Sequence, residues 1–202
     1  MNLAALGEEN LRKYGEYVSL AFEGNEWTNV AQQRAANRLA NALRRLGLGP
    51  GDRVVVLLPN RPEVMQAYTA ILKLGAVIVP VIFLLNPEEV RHILADSGAR
   101  LAITSPELAG KLEGWTGPVV SVGGAGPGAL AYEELVEREA ESFPMVDRAD
   151  GDLAVILYTS GTTGRPKGVA LSHDTLASNA RAAASLHELD RERWALAVLP
   201  LS

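Results

Sequence analysis

Residues 54–58 read Val-Val-Val-Leu-Leu. A run with no polar position has no face to offer water, so it fits a strand buried on both sides, as in a parallel sheet with helices on each face. The flanking text supplies the helices. Thr28 is placed to cap a helix in which Ala31, Ala35, Leu39, Leu43 and Leu46 recur at three- or four-residue spacing, and Gly47 ends it. Gly49, Pro50, Gly51 and Asp52 make a turn into the apolar run. Beyond it, Asn60 caps a predicted helix that runs to Leu74 and is closed by Gly75, and residues 76–81 form the next strand. Asn86 caps a further helix, with Pro87 at its first position and Glu88 and Glu89 at its positive end; Gly98 closes it, and residues 100–104 are again a strand. Strand, helix, strand, helix, strand predicts an α/β fold: a mostly parallel sheet with covering helices.

Between residues 105 and 149 the pattern weakens. A short helix is expected after Pro106 and a strand over residues 118–122. The glycine-rich residues 123–128 read as a surface loop, with no hydroxyl or charge to complete a phosphate site. The chain is not divided there, so residues 1–202 are taken as one unit. A buried strand is expected over residues 153–158, a second over 169–171, a helix capped by Ser172 and running to about Leu189, and a last strand over residues 194–200.

Composition narrows the function classes. The chain has 202 residues, net charge -5 and no cysteine. No basic block suggests nucleic acid, and disulfides, thiolate metal sites and a cysteine nucleophile are excluded. The N-terminus carries Glu8 and Glu9 and lacks the pattern of a signal peptide, so a cytoplasmic location is expected. The longest apolar run, residues 76–85, contains Pro80 and is too short to span a bilayer.

The chemistry concentrates in residues 158–168, Tyr-Thr-Ser-Gly-Thr-Thr-Gly-Arg-Pro-Lys-Gly. Thr159, Ser160, Thr162 and Thr163 offer hydroxyl donors, and Gly161 and Gly164 let the backbone approach a ligand closely. Backbone N–H groups in such a loop form an anion nest, and Lys167 adds a mobile positive charge. This is a polyphosphate-gripping loop. It is not the common P-loop, because no hydroxyl follows Lys167 and Pro166 argues against a helix starting there; nor is it Gly-x-Gly-x-x-Gly.

Residues 153–173 closely resemble the AMP-binding signature of the adenylate-forming superfamily, which includes acyl-CoA synthetases, aryl-CoA ligases, luciferases and peptide-synthetase adenylation domains. Residues 72–80, Leu-Lys-Leu-Gly-Ala-Val-Ile-Val-Pro, are similar to an upstream core motif of that group, and residues 86–89 and 96–99 also match acyl-CoA synthetase text. The resemblance implies a parent enzyme in which a carboxylate attacks the α-phosphate of ATP with Mg²⁺ present, and coenzyme A then displaces AMP. It implies that Thr159, Ser160, Gly161, Thr162, Thr163 and Gly164 hold the β- and γ-phosphates while Lys167 offsets their charge as a binder, not the catalyst. Residues 83–90 resemble fatty-acid or aryl-acid CoA ligases, and a fatty acid is the expected substrate. Family members are usually more than twice this length, and residues 199–202 look like the start of a further core motif. The chain is therefore expected to be the N-terminal part of the large AMP-binding domain, with no catalytic residue, inactive alone and prone to self-association. The alternatives are a short non-catalytic nucleotide-binding or interaction module, an aryl-acid ligase, or a plain structural domain.

Other polar residues receive structural readings. His173 belongs to a helix start, and His92 and His187 are solvated. Asp150 and Asp152 are turn residues, Arg44 and Arg45 an exposed helix face. Trp27 packs locally, and Tyr158 packs under the loop.

Overall fold

A computed structural model describes residues 1–126, 128–159, 165–186, 194–197 and 199–201. The chain opens with α1 (Ala5–Tyr14), a hairpin of β1 (Val18–Phe22) and β2 (Asn25–Thr28), and α2 (Asn29–Arg45). The β/α alternation follows: β3 (Arg53–Val56), α3 (Pro62–Lys73), β4 (Val77–Pro80), α4 (Pro87–Ser97) and β5 (Leu101–Thr104). A 3-10 turn, Ala109–Leu112, leads to β6 (Val119–Ser121), β7 (Leu130–Ala131) and α5 (Tyr132–Glu137). The last elements are β8 (Leu153–Thr159), β9 (Lys167–Ser172) and α6 (His173–Leu186). Among the described residues the main sheet has seven strands in the order β7-β6-β5-β3-β4-β8-β9. Every neighbouring pair is parallel except β8 and β9.

The uninterrupted apolar run behaves as its chemistry requires. Side chains alternate along a strand, and β3 divides between two cores. Val54 and Val56 join Leu39, Leu43, Ile71 and Leu74 beneath α2 and α3. Val55 joins Val79, Val90, Ile93 and Leu94 beneath α4. All three valines are fully buried, each worth about 1.5–3 kcal/mol of transfer from water.

Three predicted caps hold, one of them Ser172, whose Oγ accepts from Thr175 N at 3.2 Å at the start of α6. Thr28 Oγ1 accepts from Ala31 N at 3.1 Å. Asn86 and Glu89 form a reciprocal capping box, which satisfies two donors at the start of α4. Asn60 does not cap α3. The N-cap position is Arg61, with Pro62 following; Pro has no N–H, so one orphan donor is already missing. Asn60 instead donates from Nδ2 to Leu199 O and accepts at Oδ1 from Leu201 N, each at 2.9 Å. The described part of the strand expected over residues 194–200, namely residues 194–197, 199 and 200, takes no strand conformation. The leading helix α1, the β1–β2 hairpin, β7 and α5 were not expected.

The first residues strap the fold together. The Met1 ammonium pairs with Asp150. Asn2 Nδ2 donates to Leu72 O at 2.6 Å and Val146 O at 2.9 Å. Leu3 N donates to Nδ1 of His173 at 3.1 Å, and His173 N donates to Asp152 O at 3.0 Å. His173 is fully buried. Because Nδ1 accepts, the ring is neutral with its proton on Nε2. Burial, and then the nearby Arg148 and N-terminal charges, hold its pKa below the usual histidine value, opposed by Asp152.

The unfolded chain therefore binds a proton at His173 more readily than the folded one. The resulting stability is present above the unfolded histidine pKa of about 6.5 and is lost as pH falls below it. Urea midpoints measured between neutral and mildly acid pH are expected to fall for the native chain. They are expected to fall less for His173→Asn, whose side-chain oxygen can still accept from Leu3.

Candidate functional site

The sheet positions the glycine- and hydroxyl-rich loop. β8 joins the parallel block through Ile78↔Val155, so it ends on the carboxyl edge, where ligands bind in open α/β sheets. The chain then reverses. β8 and β9 pair antiparallel from Leu153↔Ser172 to Thr159↔Lys167. Lys167 opens a strand, not a helix, which separates this loop from the P-loop geometry the sequence also argued against.

Of the residues predicted to grip phosphate, Thr159 and Lys167 face each other as the last pair of the hairpin. Ser160, Gly161, Thr162, Thr163 and Gly164 lie outside the described residues, as does His187. Thr159, Arg165 and Lys167 are exposed. Among the described residues no carboxylate lies within ion-pair distance of Arg165 or Lys167. Two cations without an internal counter-ion at the mouth of a hairpin can attract a polyanion.

The hairpin is also held from the side. Tyr158 OH donates to Asp96 Oδ2 of α4 at 2.6 Å. Burial first, and then the Asp96 carboxylate, push the Tyr158 pKa up. Its ring packs against the α4 core. His92, expected to be solvated, is half-buried, and its Nε2 lies 3.0 Å from Pro166 O. No periodicity or composition signal marks this contact; the one clue in the sequence is that 92 and 96 are four apart and so share a helix face. Gly168 sits opposite Tyr158 in the ladder. A Cβ there would come within 2.9 Å of Ile156 Cγ2 and 3.2 Å of Tyr158 Cζ.

The other polar residues have structural work. Asp152 Oδ2 accepts from Ala149 N at 2.9 Å. Arg44 lies over the Phe143 ring, and Arg45 pairs with Glu139. Trp27 is half-buried in β2. Lys73, buried at the end of α3, donates to Glu8 Oε1 at 3.0 Å and Asn37 Oδ1 at 2.8 Å, tying α1, α2 and α3 together. Among the described residues no group of three His, Asp or Glu side chains is arranged to hold a metal ion, and no helix is long and apolar enough to cross a membrane.

With this geometry in view, comparison with known proteins is specific. The chain belongs to the AMP-binding enzyme family, whose model matches residues 7–202. A 3-hydroxybenzoate–CoA/4-hydroxybenzoate–CoA ligase of Thauera aromatica is 35% identical over 83% of this chain and 34% of its own length. Among solved structures, an anthranilate CoA ligase in complex with anthranoyl-AMP superposes with a TM-score of 0.82 and 29% identity, over 86% of this chain and 35% of that one. A long-chain-fatty-acid–CoA ligase from Archaeoglobus fulgidus superposes with a TM-score of 0.83 and 28% identity, over 94% and 40%. The α/β fold with a mostly parallel sheet is that of these ligases. The chain spans about a third of the length of the curated relatives it matches.

Adding a methyl group at Gly168 forces a shift against Ile156 and crowds the Tyr158 ring. Gly168→Ala is expected to destabilise the chain by about 1–3 kcal/mol, the usual cost of overpacking, read as a lowered urea midpoint at an unchanged slope.

Proposed function

We propose that residues 1–202 are the N-terminal part of the large domain of an ATP-dependent acid–CoA ligase, and that the β8–β9 connection holds the ATP polyphosphate. The observation that carries this reading is the mouth of the hairpin: Thr159 and Lys167 are paired across it, on the carboxyl edge of a parallel sheet. Thr159, with Ser160, Gly161, Thr162, Thr163 and Gly164, grips the β- and γ-phosphates through hydroxyls and backbone N–H groups. Lys167 offsets their charge. Such chemistry depends on positioning and charge neutralisation, and no catalytic residue is assigned within this chain. Mg²⁺ would accompany ATP and offset part of the phosphate charge. The acid activated as an adenylate and passed to coenzyme A belongs to the whole protein.

The acid class is the finer part of the proposal. Residues 83–90 resemble fatty-acid or aryl-acid CoA ligases, but within them Asn86 and Glu89 are engaged as a helix cap, and a cap is indifferent to substrate. Relatives act on hydroxybenzoates as well as long-chain fatty acids. Pyrophosphate release by the whole protein, offered one acid of each kind, distinguishes the fatty-acid reading from the aryl-acid one.

The nucleotide reading is tested on this chain by isothermal titration with ATP–Mg²⁺. Binding is expected, and Lys167→Ala is expected to weaken it about tenfold, the scale of one charge-assisted contact. A folded chain that ignores ATP would sink the proposal that this stretch grips triphosphate by itself.

Self-association is the second expectation. β9 is an edge strand, Leu157 and Val169 of the hairpin are exposed, and so are Trp194, Leu196 and Leu199. Unpaired strand edges and contiguous apolar surface favour association. Light scattering should show the mean mass rising with concentration; a constant monomer mass would count against it.

A further inference from the structure

We infer that α4 is a brace for the phosphate-gripping hairpin, and that His92 and Asp96 are positioning residues that hold its two ends. This rests on the nucleotide reading above and deepens it. Tyr158, just before the connection, is held by Asp96 at 2.6 Å, and Pro166, just after it, is held by His92 at 3.0 Å. The two holders lie one helical turn apart on one face of α4, so a single rigid element meets both sides of the mouth. Pro166 O is an acceptor, so His92 Nε2 carries the proton and donates it.

The platform is fixed independently of the loop. Val90, Ile93 and Leu94 anchor α4 in the second core, and the capping box secures its first turn. The brace also sorts charge. The Asp96 carboxylate is taken up by the Tyr158 hydroxyl, while Lys167 keeps no carboxylate partner among the described residues. The cation at the mouth is thus left for a ligand. Neither His92 nor Asp96 touches the triphosphate. They act by fixing the positions of residues 158 and 166, on either side of the connection.

Two measurements on the full chain test this: amide hydrogen exchange of residues 157–159 and 167–169 without ligand, and ATP–Mg²⁺ titration. His92→Ala and Tyr158→Phe are each expected to speed exchange at the mouth about tenfold, as loss of one hydrogen bond would, while exchange of residues 54–56 and the thermal midpoint stay put. Each should weaken ATP binding about three- to tenfold on the same scale. His92→Gln, which keeps an N–H donor, should restore both. Unchanged exchange at the mouth in both variants would overturn the brace, as would faster exchange spread over the whole sheet with a lowered midpoint, the mark of a merely structural contact. A native chain that binds ATP equally well with and without the two groups would sink the positioning role alone. A native chain blind to ATP would sink the nucleotide reading, and the positioning role with it, even where exchange at the mouth still follows the brace.

Discussion

The fold depends on β3 having no wet face. Once Val54 and Val56 are buried under α2 and α3, and Val55 under α4, the strand needs hydrogen-bonded neighbours on both edges as well, and β4 and β5 supply them in parallel. Parallel pairing forces crossover connections and brings the strand ends to one side. The position of the hairpin mouth follows from that burial. β8 extends the sheet parallel to β4, so its end lies on the shared carboxyl edge, and the antiparallel β9 starts at the same place.

Legibility tracked how local the determining interaction was. The run at residues 54–58 declared its burial because no residue in it could face water. Thr28 and Asn86 were read correctly because a cap is settled within one turn of helix. Asn60 carries the same local signal, yet it bonds residues 199 and 201. That competition is non-local and leaves no trace in spacing. The β1–β2 hairpin was missed because its turn is Glu23-Gly24, and Glu23 takes a positive φ of 48°; glutamate there lacks the familiar Asn-Gly signal. Residues 194–200 have a strand's composition, but among those described none has a strand conformation. In the site, the string of hydroxyls, glycines and lysine was visible as text. The α4 contacts were not, because a hydrogen bond between a histidine and a proline carbonyl far along the chain is set by topology alone.

Some arginines and lysines elsewhere are matched: Arg38 with Glu141, Arg61 with Glu63, Lys73 with Glu8, Arg100 with Asp52. Among the described residues Arg165 and Lys167 have no carboxylate partner, as is also true of Arg12, Arg91 and Arg138. An exposed cation beside a carboxylate gains little stability, so the lack of such a partner at Arg165 and Lys167 costs the fold little.

The text that identifies the family also serves the fold. Within residues 153–173, Gly168 leaves no room for a Cβ beside Ile156 and the Tyr158 ring, Ser172 accepts from Thr175 N at the start of α6, and His173 is sealed inside, receiving the Leu3 amide. These letters have steric and capping duties that hold whether or not any nucleotide is present. A descendant that abandoned the chemistry would still need them to fold. The familiar string therefore reports ancestry and architecture more durably than activity, and a pseudoenzyme would wear it unchanged at these positions.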